Sequence, residues 1–126
     1  MQNTENPRAD CVWPDKMPRL ENRTAIVTGA GQGIGRALAI GFARKGAEGV
    51  IADVNEANAI AVRDEIQAAG GTALAMRTDV SHEDSVQSML ENPLREFRKV
   101  EILVNNAGIY ALSSVKEMRE EEWDRE

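Results

Sequence analysis

Four short runs rich in Val and Ile, separated by longer stretches of helical period, limit this chain to a parallel sheet with crossover helices. The first run is Thr24 to Thr28 (TAIVT), near-continuous in apolar character and suited to a strand covered on both faces. After it, Ile34, Leu38 and Phe42 share one helical stripe, Arg44 and Lys45 fall in the last turn, and Gly46 is a C-terminal stop. The second strand is expected over Val50 to Asp53. A helix from Asn55 follows, with Ala59, Val62, Ile66 and Ala69 turned inward and Gly70 and Gly71 ending it. The third strand spans Ala73 to Thr78. Ser81, three residues before Asp84, makes a capping-box-like start to a third helix whose inward residues are Val86, Met89, Leu90, Leu94 and Phe97. Pro93 predicts a kink or a division there, since proline in a helix interior costs roughly 3 kcal/mol. Glu101 to Asn105 is the fourth strand.

Chain order converts this pattern into a location for a ligand. Parallel crossovers are right-handed in about 98% of cases, so if strands two and three step outward on one side of strand one, helices one and two cover the same face and strand four lies on the other side. The resulting order is 3-2-1-4. Its switch point, between the carboxyl ends of strands one and four, is where open α/β sheets bind ligands.

At that point stands Thr28-Gly29-Ala30-Gly31-Gln32-Gly33-Ile34-Gly35. Glycines there permit a tight turn and bring backbone N–H groups, with a helix N-terminus, against a phosphate. The common GxGxxG spacing fails, because the third glycine position falls on Ile34 or on Arg36. TGxxxGxG fits, as Thr28, Gly29, Gly33 and Gly35. Three further segments come in order at strand ends: Asp53, Asp79-Val80 and Asn105-Asn106-Ala107-Gly108.

Together these segments resemble the short-chain dehydrogenase/reductase family over residues 24 to 109. The resemblance implies a Rossmann-like doubly wound α/β sheet and a cofactor site made of Gly29, Gln32, Gly33, Ile34, Gly35, Asp53, Val54, Asp79, Val80, Asn106, Ala107 and Gly108. Asp53, 18 residues beyond Gly35, lies where a carboxylate accepts hydrogen bonds from the adenosine ribose and repels a 2′-phosphate. No basic residue occupies Ala30, Gly31, Gln32 or the position after Val54, so NAD is the expected cofactor. The alternative is that Asp53 only caps the second helix, for which Asn55 is the better cap. By the same resemblance Asp79 holds the adenine amino group, the backbone of Val80 contacts the ring, and Asn106, Ala107 and Gly108 lie beside the nicotinamide ribose. Asn105 helps hold strand four.

The family's catalytic residues are a Ser, an Asn and a Tyr with a Lys four residues later. None is matched. The single tyrosine, Tyr110, has Ser114 at that distance. The chain therefore reads as the truncated, cofactor-binding front half of an oxidoreductase that interconverts a secondary alcohol and a ketone. On this reading the isolated chain has an exposed fourth strand, poor solubility or weak NAD binding, and no turnover. The other reading is a free-standing module that senses or sequesters NAD without reacting it. Arg98 replaces the glycine usual before strand four, and Gly49 interrupts the lead into strand two.

Composition narrows the partners. A net charge of −6 disfavours nucleic acid and anionic membranes. The single cysteine, Cys11, permits no internal disulfide, which fits the cytoplasm. There is neither a secretory signal nor a long apolar run, and His82 is a lone histidine without metal spacing. Residues 1 to 22, with Pro7, Pro14 and Pro18, read as a loose tail before an incomplete NAD-binding domain over 23 to 126, and Met17 reads as the true start. The resemblance implies a small-molecule substrate and a homo-oligomeric parent. The acidic run Glu120 to Glu122 reads as a solvated first turn, and Trp123 as the packing aromatic of the next helix.

Overall fold

The computed structural model describes residues 20–109 and 117–125. The proline-bearing segment through residue 19, with Cys11 and Met17, and the segment containing Tyr110 and Ser114 lie outside the described residues. Four strands, β1 (Thr24–Thr28), β2 (Glu48–Asp53), β3 (Thr72–Arg77) and β4 (Ile102–Val104), form one parallel sheet of order β3-β2-β1-β4. Between them run the helices α1 (Gly33–Arg44), α2 (Glu56–Ala68) and α3 (Glu83–Phe97), and α4 (Glu120–Arg125) follows β4. Leu20 to Asn22 form a turn tied to the end of α1, with the Leu20 N–H donating to the Lys45 carbonyl at 2.9 Å.

Strand alternation divides the core into two layers. Val27, Ile51 and Ala73 point to one face and pack with Ala39 of α1 and with Ala59, Val62 and Ile66 of α2. Ile26, Val50 and Ala52 point to the other and pack on Met89, Val86 and Phe97 of α3. β1 is buried along its whole length, as the run TAIVT requires. β2 begins two residues earlier than its apolar run. Gly49 sits inside the strand, paired with Ala25 and Ala73, because hydrogen bonding to both neighbours outweighs its weak strand propensity.

Several inward assignments change. Ile34 is 74% exposed, because α1 buries Gly35 and Ala39 and sets Leu38 and Phe42 at the layer edge. Ala69 is the exposed C-cap of α2 rather than part of its inner stripe. On α3 the inward stripe is Met89 and Pro93, buried, with Val86 and Phe97 partly buried, so Leu90 and Leu94, one position round, are exposed. Helix α3 runs unbroken through Pro93, whose ring occupies a core position. No division occurs. Its N-cap is His82, since the Ser81 hydroxyl is turned back onto Asp79 and is not available to cap the helix. Trp123 is 70% exposed, and Glu120 to Glu122 do form the first turn of α4.

Two local features carry predictions. Arg98, the C-cap of α3, has φ +67°, in the left-handed region that costs an L side chain roughly 1–2 kcal/mol. Arg98→Gly is expected to raise unfolding stability by about 1 kcal/mol after the glycine entropy is counted, measured by urea denaturation. An unchanged or lower midpoint refutes the strain.

At the amino edge of the sheet, Glu101 Oε2 accepts the Thr24 backbone N–H at 2.7 Å. That bond, with Lys99 and Arg23 nearby and against opposing desolvation, holds the Glu101 carboxyl below its ordinary value near 4.5. A depressed folded value means stability that is whole above the unfolded value and lost as pH falls through the folded one. Wild type should therefore exceed Glu101→Gln in stability at neutral pH and converge with it in acid. A gap of equal size at every pH between 3 and 7 contradicts this.

Candidate functional site

The carboxyl edge of the sheet collects the strand-end segments. β1 ends in Thr28, whose hydroxyl is buried and central. Thr28 Oγ1 accepts the backbone N–H groups of Asn106 and Ala107, both at 3.0 Å, and donates to the Val104 carbonyl at 3.3 Å. The Asn106 amide donates to the carbonyls of Thr28 and Gly29, at 3.2 and 3.4 Å. These bonds fasten the loop after β4 to the loop after β1. The tie assigned to Asn105 belongs to Asn106, because Asn105 lies beyond the last paired residue of β4 and is exposed.

Close packing explains two of the glycines. A Cβ on Gly35 would fall 2.5 Å from the Asn106 Nδ2 and deeper still against the Gly29 carbonyl oxygen. A Cβ on Gly29, at φ +64°, would lie 2.9 Å from the Ala107 Cα. Gly33, at φ +61°, instead faces open space. Here α1 begins. Its N-cap, Gln32, gives no side-chain cap, its first turn holds no acidic residue, and the earliest N–H bonded within the helix is that of Arg36 to Gln32 at 3.3 Å. The N–H groups of Gly33, Ile34 and Gly35 thus have no partner within α1 and stand at the positive end of the helix, which suits an anion.

Asp53 closes the turn from the β2 side. Its Oδ2 accepts the Gly31 N–H and its Oδ1 accepts the Asn55 N–H, both at 2.9 Å. These bonds fix the carboxylate while leaving lone pairs on both oxygens. Asn55 is the helix cap, accepting the Asn58 N–H at 3.0 Å. Gly31 has no room for a side chain, since its Cβ would meet Asn58 Cβ at 2.7 Å and Asp53 Oδ2 at 2.8 Å. Neither the Thr28 hydroxyl nor Asn58 stands out in the motif pattern. A buried polar β-branched residue ending an apolar strand was the available signal for the first, and nothing in the sequence pointed to the second.

A third group stands after β3. Asp79 Oδ1 accepts from the Ser81 N–H at 3.0 Å and hydroxyl at 2.6 Å, and Oδ2 lies 3.1 Å from His82 Nδ1. The Ser81 hydroxyl, then its N–H, hold the Asp79 carboxyl below the usual carboxylate range, with His82 assisting. The carboxylate is therefore an ionised acceptor. Ser85 Oγ accepts the Asp79 N–H at 2.9 Å and anchors this turn to α3.

Apolar residues are exposed at the same edge: Ile34 after β1, Val54 after β2, Val80 after β3 and Ile109 after β4. Four such residues, one after each strand, lie on the sheet edge that carries the glycine turn and Asp53. An uncapped helix N-terminus, a fixed carboxylate and exposed apolar side chains on one edge suit an adenine dinucleotide. Gly33, Ile34 and Gly35 would hold its pyrophosphate, Asp53 its adenosine ribose, and Val54 and Val80 its adenine. Gly108 and Ala107 are exposed on the β4 side, with open space around Gly108. Among the described residues no group of His, Cys, Asp and Glu is arranged for a metal ion, and no helix is long and apolar enough to cross a membrane.

Known proteins share this sequence pattern and fold. The family model described as short chain dehydrogenase matches residues 23–126. The 7alpha-hydroxysteroid dehydrogenase of Escherichia coli strain K12 is 47% identical over 90 residues, covering 71% of this chain and 35% of that protein. An uncharacterized oxidoreductase of Methylorubrum extorquens is 39% identical over 110 residues, 86% of this chain and 44% of that one. Among solved structures, 7 alpha-hydroxysteroid dehydrogenase complexed with NADH and 7-oxo glycochenodeoxycholic acid superposes with a TM-score of 0.81 at 41% identity, covering 85% of this chain and 42% of the other. The 3-ketoacyl-(acyl-carrier-protein) reductase of Brucella melitensis complexed with NADH gives 0.77 at 44% identity, with coverages of 84% and 43%. The chain spans less than half the length of each of these proteins.

Proposed function

The chain belongs to the short-chain dehydrogenase family, and from that premise we propose that it forms the dinucleotide-binding part of an oxidoreductase that uses NAD in preference to NADP. The observation that carries the preference is the Asp53 carboxylate, held at the end of β2 by the Gly31 and Asn55 N–H groups. Held there, it accepts from ribose hydroxyls and repels a 2′-phosphate. Bound NAD supplies a hydride acceptor. The chain's own residues bind and orient it: the α1 N-terminus takes the pyrophosphate charge, Asp53 the ribose and Asp79 the adenine amino group.

The reaction proposed for the whole protein is the interconversion of a secondary alcohol and a ketone, in keeping with relatives named as dehydrogenases and reductases. These 126 residues hold no Tyr-x-x-x-Lys pair, so the part proposed for them is cofactor capture. A small-molecule substrate and a reducing intracellular compartment go with that reading.

Fluorescence titration of the purified chain with NADH and NADPH tests it. NADH is expected to bind at least tenfold more tightly, the equivalent of about 1.4 kcal/mol of 2′-phosphate rejection. Tighter NADPH binding overturns the preference. Reproducible NADH formation from NAD and an alcohol by this chain alone would overturn the restriction to cofactor capture.

A further inference from the structure

A basic residue lies beside Asp53 in space though not in sequence. In the β2–β3 ladder Asp53 is the register partner of Arg77, the last residue of β3. Register partners in parallel strands sit about 4.8 Å apart and point to the same face. That face is the one covered by α1 and α2. Ile51 and Ala73 belong to its core cluster and Ala75 packs against it, whereas Ala52 and Met76 belong to the opposite layer. Asp53 and Arg77, two residues beyond Ile51 and Ala75, are therefore neighbours at the carboxyl edge.

The two do not neutralise each other. Asp53 is engaged by the Gly31 and Asn55 N–H groups. Arg77 is exposed and, among the described residues, its side chain makes no hydrogen bond or ion pair. Other arginines of this face are committed or distant. Arg36 pairs with Glu65 at 2.6 Å, Arg63 pairs with Asp64 at 2.8 Å, and Arg44 is at the far end of α1. An uncommitted guanidinium beside a ribose acceptor matches a phosphate on that ribose, because its fork donates two parallel charge-assisted bonds to phosphate oxygens.

We propose that Arg77 is a specificity-determining residue of the dinucleotide site, a donor to the 2′-phosphate of NADP(H) that limits the discrimination imposed by Asp53. The inference rests on the cofactor-binding reading above. Asp53 repels the 2′-phosphate and Arg77 attracts it from the adjacent strand, so the measured preference is the difference of two opposed terms. Removing the carboxylate leaves Arg77 acting alone, and the site turns toward NADPH. A sequence search for a basic residue near the glycine turn or after Val54 passes over Arg77, because the ladder brings it alongside from 24 residues away.

Calorimetric titration of the chain with NADH and NADPH, in wild type, Arg77→Ala, Asp53→Ser and the double variant, tests the proposal. Arg77→Ala should lower the NADPH-to-NADH affinity ratio about tenfold, the low end for an exposed charge-assisted bond. Asp53→Ser should raise that ratio by at least tenfold, and adding Arg77→Ala should cancel most of the gain. Arg77→Lys, with a point charge in place of the fork, should fall between wild type and alanine. A ratio unmoved by Arg77→Ala in both backgrounds, with NADH still bound, overturns the role of Arg77 alone. Failure of wild type to bind either dinucleotide overturns the cofactor-binding reading and this inference with it.

Discussion

Gly35→Ala is expected to lower unfolding stability by about 3 kcal/mol and to abolish detectable NADH binding. The added Cβ would fall within 2.5 Å of the Asn106 side-chain nitrogen, within 2.8 Å of the Gly29 carbonyl carbon, and closest of all to the Gly29 carbonyl oxygen. Two of those three atoms are backbone and cannot rotate away. Relief requires separating the first turn of α1 from the loop after β1, which also draws the Asn106 amide off the Thr28 and Gly29 carbonyls. For a domain of this size the loss corresponds to a fall in melting temperature on the order of 15 °C.

Gly33→Ala is the internal comparison. Its Cβ meets nothing, so its stability cost is the left-handed φ alone, roughly 1–2 kcal/mol. It should still impair binding, since the methyl group projects into the open side of the turn where the phosphates are proposed to sit. Urea denaturation and NADH titration of both variants separate packing from contact. Equal stability of the two variants would show that Gly35 is not the pinned position.

The contrast between these glycines also shows how much of the molecule was legible beforehand. The motif named Gly29, Gly33 and Gly35 together, yet only the fold reveals that two of them are pressed against the β4 loop while Gly33 opens outward. Strand order follows from the sequence only if strands two and three step outward together, as they do in the sheet; right-handed crossovers then put α1 and α2 on one face and α3 on the other. Asn55 was readable as a cap because its side-chain bond is local, three residues long. Ser81 misled for the same local reason, since its hydroxyl had a carboxylate two residues back as a competing partner.

Helical period turns Ile34 and Leu94 inward, but period gives only the relative rotation of side chains. The absolute rotation is set by which residues let a helix approach the sheet, and in α1 those are the small Gly35 and Ala39. For Ile34 the exposed position is informative, because it lies in the first turn of α1, within the glycine turn proposed to take the dinucleotide. Long-range relations such as Asp53 with Arg77 had no sequence signal, because register exists only once strands pair.

The second large effect is expected at Thr28, where valine keeps the shape and strand preference of threonine but removes the hydroxyl. Thr28 is 2% exposed. In Thr28→Val the backbone N–H groups of Asn106 and Ala107 lose their acceptor, and the Val104 carbonyl loses a donor. An orphaned buried group costs roughly 1–3 kcal/mol, so two stranded N–H groups near a partly open edge predict a loss of about 2–4 kcal/mol. The damage should concentrate on the fastening of the β4 loop to the glycine turn, since the strand ladder between β1 and β4 does not depend on the hydroxyl.

NADH affinity is accordingly expected to fall at least tenfold even at temperatures where the variant remains folded. Hydrogen exchange should become faster at the Asn106 and Ala107 amides, with β2 and β3 unaffected. Thr28→Ser, which restores the acceptor without the methyl group, should recover most of the affinity and the protection. Should the valine variant bind NADH as wild type does and keep both amides protected, the hydroxyl would not be what joins the two loops, and Asn106 with its bonds to the Thr28 and Gly29 carbonyls would have to hold the switch point alone.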